Sequence, residues 1–67
     1  MTPEETEVPR SIGNVARREL AAHGLTRFAQ LAERSERELL EIHGIGPKAV
    51  RILREELSSR GMAFRAE

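Results

Sequence analysis

Two stretches of this chain run in parallel, RSIGNVARREL at residues 10–20 and HGIGPKAVRIL at residues 43–53. At a constant offset of 33 residues they agree at Ile, Gly, Ala, Arg and Leu, five positions in eleven. Each copy reads apolar–Gly–x–x–Ala–x–Arg–x–Leu, with the glycine set directly before a helical pattern. A small alanine on the first turn lets two helices approach closely. Repetition of this kind suggests two related helix–turn–helix units packed about a pseudo-twofold axis.

The rest of the chain supports an all-α fold of four to five short helices, because no run alternates like a strand. A first helix is expected from about Asn14 to His23, with Asn14 as N-cap and Gly24 as the stop. Thr26 offers a second N-cap, followed by Phe28 and Leu31 at i, i+3. Ser35 and Glu38 form a capping box ahead of Leu39, Leu40 and Ile42. The last helix begins at Pro47, where a missing N–H costs nothing, and runs to about Arg60 before Gly61. Its inward stripe is Ala49, Val50, Leu53 and Leu57, with Lys48, Arg51 and Glu55 opposite. Met62 and Phe64 are expected to fold back over a thin core.

Charge is unevenly placed. The formal net charge is zero, but Glu4, Glu5 and Glu7 all precede Pro9, leaving eleven Lys or Arg against eight Glu from residue 10 onward. Residues 1–9 are expected to be a disordered acidic tail, and 10–67 the folded domain. The mild basic excess suits a modest, strongly salt-dependent affinity for nucleic acid. Cysteine is absent, which excludes disulfides and thiolate metal sites, and His23 and His43 have no metal-ligand spacing around them. The N-terminus is unlike a signal peptide and no apolar run reaches membrane-spanning length, so a soluble cytoplasmic protein is the expectation, bacterial or archaeal in style.

The stretch LLEIHGIGPKAVRIL resembles the helix-hairpin-helix DNA-binding motif: apolar residues, Gly–apolar–Gly, a cap, a basic residue, Ala and a second apolar helix. Residues 12–64, including GLTRFAQLAERSERELLEIHGIGPKAV and LSSRGMAF, are similar to the C-terminal domain of the bacterial RNA polymerase alpha subunit. They are more similar still to small stand-alone bacterial helix-hairpin-helix proteins. The resemblance implies a tandem helix-hairpin-helix, SAM-domain-like bundle that binds duplex DNA through its phosphate backbone.

What it implies chemically agrees with the residue types. Gly44 and Gly46 permit positive φ and remove Cβ atoms, so a phosphate can reach the backbone. The N–H groups of Ile45, Gly46 and the first helical turn then form an anion site, Lys48 adds charge, and Ile45 plugs the hairpin into the core. Arg51 extends the basic face. Gly13, Asn14, Arg17 and Arg18 make up the corresponding surface of the first copy. That copy departs from the motif: Ser11 replaces its first glycine, and Val15 stands where the second copy has Lys48. An arginine that the polymerase relatives use against DNA aligns with Val15 and is absent. None of these contacts reads a base edge, so strong sequence preference is not expected.

Plainer readings accompany each residue. The two glycines also suit a compact turn. Arg51 stands i, i+4 from Glu55 and suits an exposed ion pair, while Arg17 and Arg18 suit a solvated face. Ala16, Ala49, Leu20 and Leu53 are core. Catalysis is the weakest class: there is no Asp, and the carboxylates of the ordered region are not clustered for metal ions. A non-enzyme, working as a monomer without cofactor, is expected. The competing class is a small helical protein-interaction module, which an apolar surface patch around Val15 and Met62 would support.

Overall fold

The computed structural model describes residues 6–66, and these are all helical or irregular. A 3-10 turn, Arg10–Ile12, precedes helices α1 (Asn14–Ala22), α2 (Phe28–Leu31), α3 (Glu36–Leu40) and α4 (Pro47–Ser59). The 3-10 turn packs on both α1 and α4, and α3 packs on α4.

Local chemistry accounts for the helix ends. Ser35 caps α3 in a reciprocal box: Glu38 N donates to Ser35 Oγ at 3.1 Å and Ser35 N donates to Glu38 Oε1 at 2.8 Å. Pro47 opens α4 at its first position, behind Gly46 as N-cap. Helices α1 and α4 close in the same way. Leu25 N donates to Leu20 O and Met62 N to Leu57 O, both at 2.8 Å, each one residue past a glycine. The segments ELAAHGL (19–25) and ELSSRGM (56–62) therefore correspond, although α1 has nine residues and α4 thirteen. The extra four residues are about one helical turn, inserted after the hairpin-proximal half of the repeat.

Two expected caps fall elsewhere. Asn14 is the first residue of α1, and Gly13 is its N-cap. Arg27 is the N-cap of α2, while Thr26 is buried with its N–H donated to Gln30 Oε1 at 2.9 Å. Gln30 also accepts from Arg27 N at 3.0 Å, so a side chain three residues into the helix takes over the capping role.

The core is one cluster. It draws Ala16 and Leu20 from α1, Phe28 and Leu31 from α2, Leu39 from α3, and Ala49, Val50, Leu53 and Leu57 from α4. Leu25 and Ile45 enter from the connections, and Met62 and Phe64 pack on its edge as expected. Leu40, placed with the apolar run of α3, instead faces outward at 46% exposure. The guanidinium of Arg60 lies 4.1 Å above the Phe28 ring and covers it.

The segment from Thr6 to Pro9 differs from the expected unstructured tail. Val8 is a buried member of the core. Glu7 N donates to Thr26 O at 2.7 Å, and Phe28 N donates to Glu7 Oε1 at 2.9 Å. A glutamate that reads as tail charge thus satisfies an orphan amide at the start of α2. Residues 1–5, the remainder of that expected tail, lie outside the described residues.

The repeat is also unequal in three dimensions. The second copy joins two helices, α3 and α4, whereas among the described residues only the three-residue 3-10 turn stands ahead of α1. Pro9 and Gly13 bracket that turn and leave no room for a longer helix.

Candidate nucleic-acid interface

The connection from α3 to α4 is a tight hairpin. Ile42 N donates to Leu39 O at 3.0 Å and Ile45 N donates to Ile42 O at 3.1 Å, which turns the chain back on itself. Ile45 drives its side chain into the core and is buried. The N–H of Ile45, expected to face outward, is therefore engaged within the turn.

The two hairpin glycines prove to be different. Gly44 has φ +90°, and a Cβ there would stand 3.0 Å from Val15 Cγ1 and 3.1 Å from Glu19 Cγ. Its conformation favours glycine, and a side chain there would push the Val15 and Glu19 side chains aside by a few tenths of an ångström. Gly46 has φ −108° and ψ 179°, an extended conformation open to any residue. A Cβ on Gly46 would meet nothing within 4 Å. The expectation of positive φ at both positions holds only at 44; at 46 no steric need calls for glycine, which serves there as the N-cap of α4.

Beyond Gly46 the helix begins with unengaged donors. The first bond into α4 is Val50 N to Gly46 O at 3.1 Å. The amides of Gly46, Lys48 and Ala49 meet no acceptor among the described residues, and Pro47 has no N–H. Thirteen residues of aligned peptide dipoles add partial positive charge at that end.

Cations line the adjoining surface. Lys48 and Arg51 are exposed, and neither forms an ion pair among the described residues; the Arg51–Glu55 pair that the spacing suits is not made. Together with Pro47 and Arg54 they border a shallow depression on the outer face of α4. Arg54 continues the i, i+3, i+6 series from Lys48 and Arg51, a helical periodicity legible in the sequence. Its guanidinium is occupied by Glu36, with Nη2 to Oε1 at 2.7 Å and Nε to Oε2 at 2.9 Å.

The first copy contributes less. Gly13, Asn14 and Arg18 are exposed at the start of α1 and along it. Arg17 is half-buried and donates from Nε to Val8 O at 3.2 Å, so it ties the N-terminal segment down. Val15 and Glu19, one turn apart on α1, border the space beside Gly44 that a side chain there would need. No local signal marks that contact, since it joins residues far apart in the chain.

Pairing shapes the carboxylates of α3. The Ser35 N–H holds Glu38 below the usual carboxylate range, with Arg65 and Arg34 adding to the effect. The Arg54 hydrogen bond does the same for Glu36, and Glu36 in turn raises Arg54. Among the described residues no group of three or more His or Glu is placed to hold a metal ion, and no helix is long and apolar enough to cross a membrane. Val15 and Leu40 are the large apolar side chains left exposed among the described residues. No family model matches this sequence, and neither a curated protein nor a solved structure shows a significant match to it.

Proposed function

We propose that this chain is a non-enzymatic protein that binds duplex DNA by its phosphate backbone, with little sequence preference, through the hairpin at 44–48. The observation that carries the reading is Gly46. It is a glycine that neither backbone conformation nor internal packing requires, at the head of a helix with unengaged amides and unpaired Lys48 and Arg51 nearby. Glycine is favoured at this N-cap, and a bound phosphate would supply a further reason for it, because a Cβ at 46 would stand between the phosphate and those amides.

In this reading residues 36–59 form one helix-hairpin-helix unit, and the 3-10 turn, Gly13 and α1 form a second, reduced one. The absence of an exposed aromatic face favours duplex over single strands. Phe28 is buried beneath Arg60 and Phe64 is half-buried, so no stacking platform is presented among the described residues. The reading carries with it a monomer in the bacterial cytoplasm, serving DNA repair, recombination or transcription. The exposed Val15 and Leu40 are what a protein-docking reading would draw on.

The test is fluorescence anisotropy of a duplex oligonucleotide over a range of salt, with wild type and Gly46→Ala, both checked by circular dichroism. Gly46→Ala should fold normally and bind about tenfold more weakly. Equal binding by the two proteins, or none by wild type at low salt, would sink the proposal.

A further inference from the structure

We infer that Val15 is a positioning residue for the hairpin, an inference that rests on the DNA-binding reading of residues 44–48. In the repeat Val15 occupies the place that Lys48 holds in the second copy. It has no charge to offer a phosphate, and at 53% exposure it adds little to the core. Valine is also a poor choice for an exposed helical position, since its branched side chain loses rotamer freedom there. Its Cγ1 is nevertheless the nearest atom to the place a Cβ on Gly44 would take, 3.0 Å from it, with Glu19 Cγ, one turn further along, at 3.1 Å.

The hairpin needs such a seat. Two glycines in three residues give the backbone extra freedom, and an amide cradle binds an anion well only when its donors are already in place. Ile45 fixes the turn from the core side. Val15 and Glu19 fix it from the side of α1, across Gly44. The first copy, without its first glycine and its lysine, thus acts on the phosphate through the second copy's backbone.

A seat and a phosphate contact leave different marks. Loosening the hairpin weakens binding while leaving the number of neutralised phosphates, and hence the salt slope, unchanged. The variants are Val15→Ala, which empties the contact while improving the helix propensity of α1, and Val15→Thr, which keeps the branched shape. Duplex affinity is measured across a salt series, and amide hydrogen exchange of Ile45 by NMR, in each folded protein.

The expected result for Val15→Ala is about fivefold weaker binding at an unchanged salt slope, with faster exchange at Ile45. Val15→Thr should match wild type in all three. Unaltered exchange at Ile45 in Val15→Ala overturns the inference, as does a reduced salt slope or a Val15→Thr protein as impaired as Val15→Ala. A wild type that binds no duplex at low salt overturns the DNA reading and with it any positioning role, while the exchange data still report whether the seat exists. Should Val15→Ala unfold, Glu19→Ala removes the other half of the seat, and unchanged exchange at Ile45 there overturns the inference.

Discussion

Arg54 forks onto Glu36, its Nη2 2.7 Å from Oε1 and its Nε 2.9 Å from Oε2, and so ties the outer face of α4 to the first turn of α3. The same contact withdraws one cation from the ridge that Lys48 and Arg51 begin. Glu36→Gln keeps the fold, because the pair is solvent-exposed and surface pairs add little to stability. It frees Arg54 for a phosphate. Duplex affinity at low salt should rise, and the slope of log K against log salt should steepen by about one unit. Anisotropy titrations at several salt concentrations measure both.

Removing a cation should do the reverse. Lys48→Ala is expected to weaken binding to all duplex sequences alike and to reduce the salt slope by about one. Arg51→Ala should behave similarly if the depression beside Pro47 follows the DNA backbone. Comparing two unrelated duplexes in the same titration checks the uniformity.

Gly44 and Gly46 should separate in stability. Gly44→Ala forces a side chain into positive φ and against Val15 and Glu19, and should cost about 1–3 kcal/mol. Gly46→Ala enters open space at an ordinary φ, and its loss of a favoured N-cap offsets the reduced entropy of the unfolded chain, so stability should move by less than about 1 kcal/mol. Urea unfolding followed by circular dichroism measures both.

The N-terminal strap is part of the core. Val8→Ala deletes buried methyl groups and should cost about 2 kcal/mol, against almost nothing for an unstructured tail. The same urea experiment decides between them.

Acid should loosen α3. Glu36 and Glu38 both have folded-state pKa values below their ordinary ones, so the unfolded chain binds their protons first as pH falls. Their contribution is complete above the ordinary carboxylate range, around pH 4.3, and is lost as pH drops through it toward the depressed folded values. The thermal midpoint should therefore fall on acidification through that window. In Glu38→Gln, which keeps a side-chain acceptor for the capping box, part of that fall should disappear.

Elements governed by neighbours in the chain could be read directly. The Ser35–Glu38 box, Pro47 at the head of α4 and the Ala49–Val50–Leu53–Leu57 stripe depend on contacts within a few residues, so residue type and spacing were sufficient. Where a cap lies beyond that range, sequence misleads. Glu7 looks like tail charge, yet it satisfies the amide of Phe28, 21 residues away. Arg17 looks like a surface cation, yet it donates to the Val8 carbonyl.

The sequence by itself determined that this chain is helical and where its longest helix begins. Those properties follow from capping, periodicity and backbone sterics, which act locally. Only the tertiary structure decided which glycine the fold requires. The chain places Gly44 and Gly46 in the same motif, but a Cβ at one would strike α1 and a Cβ at the other would strike nothing. Steric need is a property of what packs alongside, and Val15 and Glu19 reach the hairpin only once α1 has folded against it.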